Sequence, residues 1–98
     1  MSDSLMGYKR VTASAIINEG VTWLYGLLLL TSVTGGDVTL YEGTDAVSGV
    51  PIARFEAIAD ETKPIVLPVP LRLERGLYVT VGSNVTEVTL FWAPGGVG

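Results

Sequence analysis

Residues Gly35–Ile52 read GGDVTLYEGTDAVSGVPI, two short runs of alternating residues around a turn rich in Gly, Asp and Ser. Val38 and Leu40 alternate with Thr39 and Tyr41, the period-two pattern of a strand with one buried face. Gly43–Val50 supplies the turn chemistry that joins two antiparallel strands. Pro51–Ala57 then continues as a strand, with Ala53, Phe55 and Ala57 opposed to Arg54 and Glu56. The second set faces water.

The same pattern extends in both directions. Lys9–Ile17 places Val11, Ala13, Ala15 and Ile17 on one face and Arg10, Thr12 and Ser14 on the other. Val21–Val33 is apolar on both faces, with Trp23, Tyr25, Leu27 and Leu29 on one side and Leu24, Leu28 and Leu30 on the other. Gly20, Gly26 and the β-branched and aromatic residues of this run favour strand over helix. Downstream, Asp60 and Glu61 mark a turn, and Pro64–Leu73 sets Ile65, Leu67, Val69, Leu71 and Leu73 on the core-facing positions. Pro64, Pro68 and Pro70 all fall on even positions, so their missing N–H groups lie along one lateral edge, as on an edge strand closed to further pairing. Gly76–Gly82 and Asn84–Trp92 complete the series, with Leu77, Val79 and Val81, and then Val88, Leu90 and Trp92, as inward sets.

Seven or eight short strands with regular turn signals and no amphipathic helix predict an all-β fold, an antiparallel jelly-roll-like β-sandwich. A single domain is expected over residues 1–98, with an N-terminal arm over about 1–8 and a Gly-rich C-terminal tail over about 94–98. A chain of 98 residues buries only roughly 60 to 65% of its unfolded surface, so disulfides, metals or partner subunits usually support it. It contains neither Cys nor His, which excludes disulfides and Cys/His zinc sites and leaves packing or self-association. Hydrophobic residues make up 48% and charged residues 16%, so part of the apolar surface is expected to meet another chain.

Several function classes are disfavoured. A net charge of −4 with only six Lys and Arg opposes nucleic-acid binding. MSDSLMGYKR has no cationic segment followed by an apolar core, so no signal peptide is expected. The thirteen residues Val21–Val33 fall short of the roughly 20 that span a bilayer as a helix. Without imidazole or thiol, Ser14, Ser32 and Ser48 lack the usual activating base. Gly35-Gly36 and Gly95-Gly96 do not lead a strand into a helix, so neither reads as a phosphate cradle. Asp37, Glu42 and Asp45 are the oxygen ligands a hard cation could use, but their spacing is that of turn residues and not of a calcium loop. No catalytic residue, metal or cofactor is expected.

Two surfaces remain as candidates. One is an interface comprising the N-terminal residues Tyr8, Lys9 and Arg10 and the doubly apolar strand with Leu24, Leu28 and Leu30. The other is the exposed loop with Glu42, Gly43, Thr44 and Asp45. Trp23, Tyr41, Tyr78 and Trp92 form the pool from which a glycan-binding site would be built.

The order GYKRVTASAIINEGVTWLYGLLLLTS (Gly7–Ser32), GGDVTLYEGTDAVSG (Gly35–Gly49) and LRLERGLYVTVGSNVTEVTLFW (Leu71–Trp92) resembles small structural proteins of tailed bacteriophages, of capsid-decoration, head-fibre or head–tail type. Its most suggestive pieces are GGDVTLYEGTD and RGLYVTVG. The resemblance implies a β-sandwich subunit of the virion without enzymatic activity, a homo-oligomer that contacts itself and the major capsid protein. A neck or tail adaptor, or a surface module binding glycan or receptor, are the alternatives.

Overall fold

The computed structural model describes residues 7–32 and 34–95. Eight strands run in the order β1 (Gly7–Val11), β2 (Ala15–Asn18), β3 (Thr22–Thr31), β4 (Gly36–Glu42), β5 (Val50–Ala57), β6 (Thr62–Leu73), β7 (Leu77–Val81) and β8 (Val85–Pro94). They form two four-stranded antiparallel sheets, β1-β8-β3-β6 and β2-β7-β4-β5. The expected all-β sandwich is present. Most of the expected N-terminal arm and C-terminal tail lies outside the described residues.

The pairing β1 with β8, β2 with β7, β3 with β6 and β4 with β5 is that of one long antiparallel ribbon folded across itself, the jelly-roll winding. Each half of the ribbon crosses repeatedly from one sheet to the other. The core lies between the sheets and is built from Leu24, Leu27 and Leu29 of β3, Val38 and Leu40 of β4, Leu77 and Val79 of β7, and Val88 and Leu90 of β8. Burying each such side chain contributes about 1.5–3 kcal/mol, before the entropy of ordering the chain is offset.

Three strand readings are corrected by the pairing. Lys9–Ile17 is two strands: Thr12–Ser14, all exposed, carry the chain from the first sheet to the second, so Ala13 lies outside the core. In β3 strict alternation fails at Tyr25. Leu24 opposes Trp92 and Gly26 opposes Phe91, leaving Tyr25 as an extra residue on β3. One inserted residue turns every following side chain to the other face, so Leu24 shares the core face with Leu27 and Leu29 while Leu28 and Leu30 share the outer face. Gly26 is required at this bulge, because a Cβ there would collide with the carbonyl oxygen of Ile65.

The third correction concerns β6. It is an edge strand, yet Leu24 opposes Leu71 and Gly26 opposes Val66, so Leu67–Pro70 bows away from β3 as a wide bulge. Pro68 and Pro70 lack the donors that would hold this segment to its neighbour. Val69 is therefore 68% exposed and Leu71 40%, whereas Leu73 at the strand's end is buried.

Buried hydroxyls are satisfied locally. Thr22 donates to the Gly20 carbonyl (2.8 Å) and accepts from Asn18 Nδ2 (2.9 Å). Thr31 donates to the Ile58 carbonyl (2.5 Å) and accepts from the Glu61 N–H (3.1 Å), fixing the β5–β6 turn to β3.

Candidate interaction surface

The three candidate carboxylates, Asp37 and Glu42 of β4 and Asp45 of the loop that follows, are each held in place by neighbours. Asp37 Oδ2 accepts from Arg54 Nε at 2.8 Å. Glu42 Oε2 accepts from the backbone N–H of Glu74 at 2.7 Å. Asp45 Oδ1 accepts from the N–H groups of Val47 (2.9 Å) and Ser48 (2.7 Å) and from the Ser48 hydroxyl (3.0 Å). The Ser48 hydrogen bonds, from backbone and then side chain, lower the Asp45 pKa. Among the described residues no group of three or more acidic side chains is placed to hold a metal ion. Of the candidate loop, Thr44 and Asp45 are exposed while Glu42 and Gly43 are half-buried, Gly43 donating its N–H to the Gly76 carbonyl at 3.1 Å.

The basic residues of β1 are likewise engaged. Arg10 Nε donates to Glu87 Oε1 at 2.6 Å, a pair that raises the Arg10 pKa further. Lys9 Nζ reaches the Ile16 carbonyl at 3.4 Å. Of the candidate interface residues, Leu24 is 1% exposed in the core. Tyr8, Leu28 and Leu30 remain on the outer face of the first sheet.

That outer face carries exposed apolar side chains. Register places Tyr8, Phe91, Gly26 and Val66 in one row across β1, β8, β3 and β6, and Arg10, Thr89, Leu28 and Pro64 in the next. Tyr8 is 72% and Val66 83% exposed. Where β6 bows out, an open groove of about 490 Å³ lies beside Tyr25, Leu28, Pro64, Val66, Pro70 and Phe91. The outward direction of Val66 follows from the alternation of Pro64–Leu73, but the groove escaped sequence reading because it depends on the paired bulges; the clue available was the pair of prolines at 68 and 70.

The four aromatic candidates divide between locations. Tyr41 and Tyr78 are cross-strand neighbours on the outer face of the second sheet, with ring centroids 6.2 Å apart and planes tilted by 58°. Trp23 sits against Gly95, whose N–H donates to the Val21 carbonyl at 2.8 Å. Trp92 packs on the core, and among the described residues its buried indole N–H meets no acceptor.

No protein-family model matches the chain, and no curated protein matches it. Among solved structures it is similar to a hydroquinone 1,2-dioxygenase from Sphingomonas sp. TTNP3, crystallised with 4-hydroxybenzoate bound, at 11% identity and a TM-score of 0.39. The match covers 99% of this chain and 63% of that one. At that level the likeness bears on neither activity nor ligand.

Proposed function

We propose that this chain is a non-enzymatic structural subunit of a tailed-phage virion, assembled in the host cytoplasm, and that it decorates the capsid by packing against itself and the major capsid protein. The observation that carries the reading is the outer face of the first sheet, where Tyr8 and Val66 stand exposed beside an apolar groove. Exposed apolar surface of this kind marks a protein contact. The sequence resemblance over Gly7–Trp92 supplies the setting. The carboxylates and basic residues described above are occupied by structural hydrogen bonds, which fits a subunit that works by contact. Many copies, each adding a modest contact energy, would together hold a shell.

The test is the copy number of the chain in purified particles. A count in proportion to the major capsid protein is expected. A single ring's worth would make it a neck or tail adaptor, and absence from particles would sink the virion reading. The tilted Tyr41–Tyr78 pair favours a second reading, a glycan-binding face. Glycan-array binding lost on Tyr41→Ala would support it; silence of the wild type on the array would remove it.

A further inference from the structure

We infer that the outer face of the β1-β8-β3-β6 sheet closes on the same face of a second copy, forming a two-fold homodimer. This goes beyond the virion reading and does not depend on it, since a dimer forms or fails to form in solution without any particle.

Shape carries the first part. Tyr8 and Val66 end a single row, Tyr8–Phe91–Gly26–Val66, and three strand spacings put them about 14 Å apart. A two-fold axis through the middle of that row, between β8 and β3, exchanges its ends. Tyr8 of one copy then meets the groove beside Val66 of the other, and Phe91 meets Gly26, which has no side chain to obstruct it. The ridge and groove of one face are therefore complementary to each other under rotation. The wide bulge at Leu67–Pro70 creates the groove, and the prolines within it remove backbone donors from the β6 edge. Face-to-face packing of sheets needs no donors from that edge.

Charge carries the second. The chain is acidic overall, with a net charge of −4. Asp37, Glu42 and Glu56 lie on β4 and β5 of the second sheet and Asp45 on the loop between those strands, with Asp37 and Glu56 sharing the single cation Arg54. On the first sheet Arg10 pairs with Glu87, and Arg72 with Glu74 just beyond β6. This face thus presents an apolar centre with an internally neutralised margin. Two acidic copies meet there without opposing their excess carboxylates, whereas a strongly charged partner would find no complement.

The footprint is that of a four-stranded sheet, about 14 Å between its outer strands and about 33 Å along the ten residues of β3. A face of this size makes a small interface, so its strength rests on how closely Tyr8 fills the groove beside Val66.

The chain has no cysteine, so a designed crosslink reports cleanly. In a Tyr8→Cys/Val66→Cys double variant the two thiols of one copy are too far apart to join, a disulfide needing Cα atoms within about 7 Å. Mild oxidation is expected to give a covalent dimer of twice the 10.4 kDa chain mass, and the Tyr8→Cys single variant much less. Sedimentation equilibrium should show the wild type and Val47→Asp, altered in a fully exposed loop distant from this face, as dimers. Val66→Asp, at an exposed position and checked for an unchanged denaturation midpoint of the subunit, should dissociate at least tenfold more readily. A monomeric wild type, a ring of three or more, or Val66→Asp dimerising as tightly as wild type would overturn the proposal. If the wild type is monomeric and Val66→Asp instead loses its place on particles, the face belongs to a shell protein.

Discussion

Lys63 Nζ donates to the backbone carbonyl of Glu56 at 2.8 Å, so a side chain from the edge strand of one sheet covers a carbonyl on the edge strand of the other. The opposite flank repeats the arrangement, with Lys9 of β1 reaching the Ile16 carbonyl of β2. A lysine at each open side of a sandwich both links the sheets and discourages a foreign strand from adding there. Replacing Lys63 by Ala should cost about 1 kcal/mol, the net worth of one hydrogen bond, and should increase light scattering on warming. Denaturant melts and turbidity at matched concentration check both; an unchanged midpoint with unchanged turbidity would show that the contact does neither.

Gly26 is where β3 changes face. Since a Cβ there meets the Ile65 backbone and not a movable side chain, Gly26→Ala should destabilise by roughly 1–3 kcal/mol, the range for overpacking a tight site. Urea denaturation measures it, and a change below about 0.5 kcal/mol, the surface-substitution level, would mean the strand pairing is looser than described.

Trp92 offers a contrast with its neighbour in β8. Its buried indole N–H has no acceptor among the described residues, so Trp92→Phe removes an unsatisfied donor while keeping most of the ring, and should cost less than about 1 kcal/mol. Leu90→Ala, at a fully buried position, should cost about 2–5 kcal/mol. Equal losses from the two substitutions would indicate that the indole donor has a partner after all.

The Asp45 turn gives a pH signature. Its carboxylate is stabilised by the Ser48 hydrogen bonds, so its folded pKa lies below the ordinary 3.8. A depressed folded pKa contributes stability that is present above the unfolded value and fades as pH falls through the folded one. Wild type and Asp45→Ala should therefore differ most near neutrality and converge in strong acid. Carbon-detected NMR titration should place the Asp45 midpoint under 3.8, and a midpoint at or above that value would contradict the capped turn.

What the sequence reveals and what it hides divide along a physical line. Alternation alone locates Val38 and Leu40, Leu77 and Val79, and Val88 and Leu90 as core, because those stretches pair in the regular antiparallel register. It mislocates Leu24 relative to Leu28 and Leu30, and Val69 and Leu71, because a bulge is a property of two strands together and leaves only weak marks in either one. Gly26, Pro68 and Pro70 are those marks. The candidate surface is half visible for the same reason: alternation turns Val66 outward opposite Ile65, as Val66's exposure bears out, while the groove beside it depends on the bulge of β6 against Gly26. The winding of the eight strands rests on contacts distant in sequence, which local pattern does not encode.

The most direct test compares particles assembled with and without this chain, heating both and recording the temperature at which the shell releases its contents. If the chain clamps neighbouring capsid subunits, shells lacking it should rupture at a lower temperature, and adding back the purified protein should restore the wild-type value. Particles that assemble fully and rupture at the same temperature without it would contradict a role in holding the shell.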